Sequence, residues 1–253
     1  MDIQSFLVRI NYSGTIGTDF ETLWGLHRAH MLSVPFENLD IVPLQRKIQL
    51  NEQALWEKIV VHRRGGFCYE LNGIFAWLLK EIGFDVTYLN GRVYNREGNR
   101  GRDFDHLTLL VRIPNQSTRW LADVGFGDSF LEPLNFEKSG EQTQGLRAYR
   151  LEPVESGLNM LQRDYKGKWE RQYFFDLQPR RFPDDYEATC LYHQSSPQSS
   201  FTRGSVISIA TPEGRITLDD NQLIVTKNGQ RDEIPVGQEE RSSLIKGYFG
   251  VVL

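Results

Sequence analysis

The chain has 253 residues, of which 40% are hydrophobic and 25% are charged, a composition typical of globular domains. Its formal net charge of −4 at pH 7 gives no indication of a nucleic-acid or anionic-membrane partner. The two cysteines form no CxxC pair and the N-terminus has no signal-peptide pattern, so we expect a cytoplasmic protein. The sequence also contains no apolar run of about 18 residues, the length that predicts a membrane span.

Helical spacing of apolar residues dominates the first third of the chain. Thr18-Asp19 can cap a first helix, and Asn51 can cap a second helix that Gly65-Gly66 stops. A third helix is predicted to begin near Cys68, to carry an apolar stripe of period 3.6, and to end at Gly83.

Alternating strand patterns replace the helical spacing after residue 83. Short strands with turns between them are predicted within 85–95, 106–113, 119–126, 149–154, 158–165 and 168–177. Closely spaced strands of this kind favour an antiparallel barrel or sandwich. From about residue 190 the pattern changes to a Ser-rich loop, two strand-like runs and a short final helix, which indicates a small C-terminal α/β region.

Cys68 lies in the stretch RGGFCYELNG, residues 64–73, at the predicted start of the third helix. A helix N-terminus lowers a thiol pKa, and Arg63 and Arg64 just upstream add positive potential. The adjacent glycines permit a tight turn and close approach of a substrate. Free cysteines are also often simply buried, so the local sequence leaves both a nucleophile and a core residue open.

A nucleophilic cysteine needs a base, usually histidine, and a group that orients that base. His27 and His30 share a helix face without a motif that completes a metal site, so we expect a solvated or packed pair. His62 is placed at a helix end and His193 in a loop-like stretch, whereas His106 begins a predicted strand.

His106 and Asp123 are predicted to share one side of a β-hairpin. The runs beginning at His106 and Arg119 each have one strongly apolar side, and pairing those sides puts both polar residues on the opposite side. A two-residue turn at Pro114-Asn115 would also place them directly across from each other, whereas a looser loop would shift the pairing along the strand. Such a pair can orient a catalytic imidazole or be purely structural.

Several segments in one order closely resemble the arylamine N-acetyltransferase family. They are VPFENLDI at 34–41, RGGFCYELNG, DFDHLTLLV at 103–111, WLADVGFGD at 120–128 and SPQSSF at 196–201. The match begins near residue 26 and is weaker beyond 201. The resemblance implies transfer from acetyl-coenzyme A to aromatic amines, hydrazines or N-hydroxyarylamines through an acetyl-cysteine, with no metal or prosthetic group.

The resemblance further implies an α+β fold with a catalytic core like that of cysteine proteases. It predicts an N-terminal helical bundle over 1–84, a central antiparallel β-barrel over 85–189 and a small C-terminal α/β lid over 190–253. The site residues that it implies are a Cys68, His106 and Asp123 triad, Phe36, Phe126 and Phe201 for the acceptor, and Gly125 and Gly127 for coenzyme A.

Two neighbours of the predicted triad are also considered. Arg64 is expected to form a structural ion pair, with Glu37 as a candidate partner, rather than to take part in catalysis. The residue before the predicted base is Asp105, which adds negative charge beside the site.

Two alternatives stay open from the sequence. A transglutaminase-like or cysteine-peptidase enzyme would use the same order of Cys, His and Asp, although the VPFENLD and DVGFGD segments favour the acetyltransferase. A binding protein that kept the fold without catalysis is the second alternative, and the intact triad speaks against it. The sequence does not decide between N- and O-acetylation.

Overall fold

The structure, a computed structural model, describes residues 1–253 as helices packed against two antiparallel sheets. The helices are α1 (Ile3–Arg9), α2 (Phe20–Ser33), α3 (Glu52–Trp56) continued by a π-helical turn (Glu57–Val61), α4 (Cys68–Ile82), α5 (Glu187–Ser195), a 3₁₀ turn (Ser200–Thr202) and α6 (Arg241–Phe249). The strands are β1 (Phe36–Glu37), β2 (Asp85–Val93), β3 (His106–Arg112), β4 (Arg119–Ala122), β5 (Leu134–Asn135), β6 (Gln142–Gln144), β7 (Arg147–Val154), β8 (Gly157–Arg163), β9 (Trp169–Phe175), β10 (Ile207–Thr211), β11 (Gly214–Leu218), β12 (Gln222–Lys227) and β13 (Gln230–Pro235). None of the helices is long and apolar enough to cross a membrane.

The predicted N-terminal helices begin where side chains cap them. Asp19 Oδ1 accepts the Thr22 N–H at 2.8 Å at the start of α2, and Asn51 Oδ1 accepts the Ala54 N–H at 2.9 Å at the start of α3. Helix α1 was not predicted, and α5 corrects the placement of His193, which lies in a helix instead of a loop.

Helix α4 is the central buried element of the N-terminal region. Twelve of its fifteen residues, including Cys68, are buried, so almost its whole circumference is in contact with the protein. The Glu70 carboxylate accepts the Phe67 N–H at 3.1 Å and caps its start, and Gly83, with φ +111°, ends it in the left-handed conformation. The predicted helix from Cys68 to Gly83 is confirmed.

The larger sheet is a nearly closed antiparallel barrel with strand order β5-β4-β3-β2-β9-β8-β7-β6. Two glutamines of β6 connect its open edges. Gln142 accepts from the Asn135 N–H and donates to the Asn135 carbonyl, and Gln144 bonds the Leu131 N–H and both backbone groups of Glu132. These amide side chains take the place of a strand partner where β5 and β6 would otherwise leave edge groups unpaired. The α+β architecture with a central antiparallel barrel is confirmed.

The β3–β4 hairpin keeps the predicted side but not the predicted register. A turn does form at Pro114-Asn115, where Asn115 has φ +63°, but the first pair beyond it is Arg112 with Arg119. The loop is therefore longer than two residues, and the pairing is shifted by two positions. Direct opposition of His106 and Asp123 is wrong, whereas an even shift leaves them on the same side.

The smaller sheet has the order β1-β10-β11-β12-β13. Its first strand comes from the N-terminal region: Phe36 pairs with Ser208, and Glu37 with Ile207. Helix α6 packs on this sheet with Leu39 in a small core. The division at 84/85 and 189/190 and the likeness to a cysteine-protease core stay predictions.

Arg9 joins three parts of the N-terminal region through backbone carbonyls. Its guanidinium donates to Ile59 O and Ser33 O at 2.7 Å, to Arg64 O at 3.0 Å and to Arg63 O at 3.3 Å. Only 3% of the residue is exposed, and burial lowers its pKa to about 10. Arg9 thus holds the loop that leads into α4.

We expect Arg9→Met to lower the free energy of unfolding by about 3 to 5 kcal/mol, because the buried carbonyls lose their charged donor. Urea denaturation followed by circular dichroism measures this change. Arg46→Met, at an exposed position, is the matched control and should change stability by less than about 0.5 kcal/mol. Equal stability of the two variants would contradict the assigned role of Arg9.

Candidate active site

His106 and Asp123 form a buried hydrogen-bonded pair. His106 Nε2 lies 2.6 Å from Asp123 Oδ2, and neither side chain is more than 2% exposed. The other carboxylate oxygen accepts from Asn72 Nδ2 at 2.9 Å and from the Gly125 N–H at 3.1 Å. Burial alone would raise the pKa of Asp123, but the His106 imidazole and the hydrogen bonds from Asn72 and Tyr173 hold it below its usual value. The carboxylate is therefore ionised and orients the imidazole, leaving Nδ1 free of protein hydrogen bonds.

The backbone at Asp123 is fixed by side chains instead of a neighbouring strand. The Asp123 N–H donates to His27 Nε2 at 3.1 Å, and His27 Nδ1 lies 2.9 Å from Leu131 O. Burial lowers the pKa of His27 to about 4, so its ring is neutral, with the proton on Nδ1. The Val124 N–H donates to Asn72 Oδ1 at 2.9 Å. These bonds end β4 at 122, short of the predicted 126.

Cys68 is buried at the first position of α4, with 4% of its surface exposed. The predicted lowering of its pKa is wrong for the thiol on its own. Burial raises the pKa of Cys68 well above its usual value, the backbone amide of Leu107 opposes that shift, and Asp123, Cys190 and Asp105 add to it. A thiolate here therefore needs a cation next to it, and the helix dipole alone does not suffice.

Two further contacts bring α4 and the His–Asp pair together. Asn72, one helical turn after Cys68, donates to Leu107 O at 2.6 Å as well as to Asp123. At Gly125, an added Cβ would lie 2.8 Å from Cys68 Cα and 2.9 Å from Cys68 O. The loop after β4 thus packs directly on the backbone of the cysteine.

We expect Gly125→Ala to lower kcat/KM by about 10- to 100-fold, because the new methyl group must displace either the loop or the start of α4. Gly247→Ala in α6, where an added Cβ meets nothing within 4 Å, is the matched control and should retain activity. Steady-state rates of acetyl transfer from acetyl-CoA to an aromatic amine, the activity that the resemblance implies, make this comparison. Full activity of Gly125→Ala would show that the close packing is unimportant.

The three predicted acceptor residues lie in two aromatic groups. Phe126 packs 5.1 Å from the His106 ring and 5.0 Å from Tyr173, measured between ring centroids. Phe36 and Phe201 lie 6.2 Å apart and pack against a different core cluster from Phe126. All three phenylalanines are half-buried, as expected for the wall of a pocket that opens to substrate.

The two glycines predicted for coenzyme A differ in their surroundings. Gly125 is buried against α4, whereas Gly127 is half-buried with φ +89°. An added Cβ at Gly127 would lie 3.6 Å from Phe36 Cγ. Gly127 therefore leaves backbone accessible beside the Phe36 ring, and of the two glycines only Gly127 presents such a surface.

A buried charge network lies beside the start of α4. Lys58 Nζ is 2.7 Å from both Glu70 and Asp40, and Arg64 is 2.7 Å from Glu37 and 3.2 Å from Asp40. The predicted Arg64–Glu37 pair is present. Burial raises the pKa of Glu70 to about 7 despite the Lys58 ammonium. Arg64 is fully engaged here, so its charge braces the loop before Cys68.

The segment 34–41 also contacts the chain between α5 and β10. Asn38 Nδ2 donates to Phe201 O and Gly204 O, both at 2.9 Å, and its Oδ1 accepts the Val206 N–H at 2.7 Å. The amide thus holds the turn that carries Phe201. Sequence reasoning missed Asn38, and also Asn72, His27, Lys58, Glu70 and Tyr173.

No group of three or more His, Cys, Asp or Glu side chains is placed to bind a metal ion. The His27 and His30 pair is packed. His30 lies between Phe6 and Phe75, with ring centroids 6.2 and 5.3 Å away.

Comparison with known proteins places this arrangement in a family. The N-acetyltransferase family profile matches residues 19–253. Arylamine N-acetyltransferase of Escherichia coli K12 is 35% identical over 234 residues, covering 91% of this chain and 81% of that protein. Arylamine N-acetyltransferase / N-hydroxyarylamine O-acetyltransferase of Salmonella typhimurium is 38% identical over 200 residues, covering 78% and 69%.

Structural comparison agrees. The structure of Mycobacterium marinum arylamine N-acetyltransferase in complex with CoA superposes with a TM-score of 0.92 at 29% identity, covering 99% of this chain and 93% of that one. None of these comparisons points to a peptidase or a transglutaminase. The chain belongs to the arylamine N-acetyltransferase family.

Proposed function

We propose that this enzyme transfers an acetyl group from acetyl-CoA to an aromatic amine, with Cys68 as nucleophile, His106 as base and Asp123 as the orienting carboxylate. The observation that carries this proposal is the 2.6 Å His106–Asp123 contact, held against the N-terminus of α4 by Asn72. Membership of the family supplies the reaction class.

In the first half-reaction, His106 Nδ1 takes the proton of the Cys68 thiol, which the high thiol pKa otherwise retains. The resulting thiolate attacks the carbonyl carbon of acetyl-CoA. The C–S bond to coenzyme A then breaks, the CoA thiolate accepts the proton from His106, and acetyl-Cys68 remains. Asp123 stabilises the imidazolium while it exists.

The oxyanion of this step has donors at the start of α4. The Phe67 N–H is taken by Glu70, and the N–H groups of Glu70 and Leu71 donate to Phe67 O. This leaves the first-turn N–H groups of Cys68 and Tyr69, which have no intrahelical acceptor. We assign these two groups as oxyanion donors.

In the second half-reaction, the amine nitrogen attacks the acetyl-Cys68 carbonyl and loses a proton to His106. The thiolate leaves and is reprotonated, which releases the amide and restores the free enzyme. Phe36, Phe126 and Phe201 line the acceptor side in this proposal, since an apolar wall favours an aromatic ring and limits hydrolysis of the thioester.

The acceptor range is proposed from chemistry and relatives. The Salmonella relative's name includes O-acetylation of N-hydroxyarylamines, and hydrazines share the exposed nucleophilic nitrogen of arylamines. We therefore include both as acceptors, and Gly127 as the backbone surface along which the coenzyme arm passes. We also propose that the chain is divided into a helical bundle, a β-barrel and a C-terminal lid, and that the protein is cytoplasmic.

Initial-rate kinetics test this function. With acetyl-CoA and an aromatic amine both varied, an acetyl-enzyme mechanism gives parallel double-reciprocal lines. Intersecting lines would mean direct transfer in a ternary complex. Absence of transfer, with release of ammonia from peptide glutamine instead, would favour the transglutaminase-like alternative.

A further inference from the structure

A second histidine–carboxylate pair lies beside the proposed triad. His193 Nε2 of α5 is 3.1 Å from Asp105 Oδ1, and Asp105 directly precedes His106. The two side chains are 8% and 18% exposed, so the pair is largely shielded from water. Nε2 is not aimed along a hydrogen bond to that oxygen, and the contact is therefore electrostatic.

The other ring nitrogen of His193 is fixed by the turn that carries Phe201. His193 Nδ1 lies 3.1 Å from Ser199 Oγ, and Ser199 Oγ accepts the Phe201 N–H at 3.2 Å. Ser199 Oγ accepts one hydrogen bond from the Phe201 N–H, and we assign its hydroxyl as the donor to Nδ1. With that assignment the ring proton is on Nε2, which lies 3.1 Å from the Asp105 carboxylate.

The His193 ring also packs on residues at both sides of the nucleophile. Its centroid is 5.2 Å from Phe201, edge to face, and 6.2 Å from Tyr69, the residue after Cys68. The Phe201 ring in turn packs 5.6 Å, between centroids, from the ring of Phe67, the residue before Cys68. His193 is thus positioned between α4 and the turn that carries Phe201.

The negative charge of Asp105 acts on the Cys68 thiol. Asp105 is one of the groups that raise the pKa of Cys68, together with Asp123 and Cys190. The further titratable groups around the thiol are Tyr69 and Tyr186, with His106 on the neighbouring strand. Two carboxylates therefore oppose a thiolate here, and His106 compensates only Asp123.

We propose that His193 is a positioning residue for the nucleophile: its Nε2–H edge offsets the negative charge of Asp105 next to Cys68, and its Nδ1 holds the turn that presents Phe201. Each carboxylate near the thiol then has its own histidine. This inference rests on the proposed function of Cys68, but its test reads the thiol directly and does not depend on acetyl transfer.

The test is the pH profile of Cys68 alkylation by iodoacetamide, followed by mass spectrometry, in wild type, His193→Gln, Asp105→Asn and the double variant. We expect His193→Gln to raise the apparent pKa by about one unit, so that alkylation at pH 7 slows by up to about tenfold. Asp105→Asn removes both the charge that raises the thiol pKa and the need for its offset, so its apparent pKa should fall below that of wild type by up to about one unit.

The double variant should follow Asp105→Asn, because the effect of losing His193 requires the Asp105 charge. Circular dichroism melts confirm that each protein is folded, and His193→Asn replaces His193→Gln if the latter does not fold. A His193→Gln profile equal to wild type would overturn the proposal. So would the full upward shift persisting in the double variant, since it would then come from displaced structure.

Discussion

We expect Cys68→Ala to abolish acetyl transfer, lowering kcat by at least about 10⁴-fold. The reason is chemical: without the sulfur no acetyl-enzyme can form, and the pocket offers the amine no activated acyl group. Cys68 is in contact with the backbone at Gly125 and Leu107, so loss of one sulfur atom leaves only a small cavity. The measurement is CoA release with acetyl-CoA and an aromatic amine at saturation.

Cys190 supplies a matched control for this experiment. It is the only other cysteine, is also buried, and has its pKa raised to about 12 by burial. We expect Cys190→Ala to keep kcat within about threefold of wild type, since nothing in the proposed chemistry uses it. Transfer retained in Cys68→Ala, or lost equally in both variants, would reject the covalent mechanism.

Asp123→Asn has the second-largest expected effect, a fall in kcat of about 10³- to 10⁴-fold. Asp123 Oδ1 accepts from two donors, Asn72 Nδ2 and the Gly125 N–H. An asparagine must keep its oxygen at that position, so its NH₂ group faces His106 Nε2. The imidazole proton then moves to Nδ1, the nitrogen that must accept the thiol proton, and the base is blocked.

The pH profile of Cys68 alkylation distinguishes this mechanism from simple unfolding. Asp123→Asn should slow the alkylation of Cys68 at pH 7, because His106 can no longer take the thiol proton, while its circular dichroism melt stays cooperative. Asp232→Asn, on the exposed strand β13, is the matched control and should match wild type in both measurements. An Asp123→Asn variant with wild-type kcat would show that the carboxylate has no orienting role.

The hairpin illustrates what local pattern can predict. Alternation in β3 and β4 was sufficient to place His106 and Asp123 on one side, because the period of two survives any even shift. It was not sufficient for the register, since the loop continues past Pro114-Asn115 before Arg119 pairs. Loop length depends on interactions that the strand pattern does not contain.

The supporting residues of the site were harder to foresee. Asn72 carries one usable signal, an amide one helical turn after Cys68 on the same face of α4. His27 carries none: its bond to the Asp123 backbone joins positions far apart in the chain, and only the fold brings them together. Similarly, Asn38 gives no sign of its contacts with the 201–206 turn.

The pKa of Cys68 was predicted with the wrong sign for a physical reason. Helix position is local and can be read from the sequence, whereas burial depends on every element packed around the thiol. Burial is the larger effect here. The helix N-terminus alone does not offset the effect of burial. The proposed chemistry therefore depends on transfer of the thiol proton from Cys68 to His106.

The measurement that tests the central proposal most directly is intact-mass analysis after mixing the enzyme with acetyl-CoA in the absence of an acceptor. We predict that the wild type gains the mass of a single acetyl group on Cys68, and that an aromatic amine then removes it. The Cys68→Ala variant should gain nothing. An unmodified wild-type enzyme that still acetylates the amine, or an acetyl group on another residue, would contradict transfer through acetyl-Cys68.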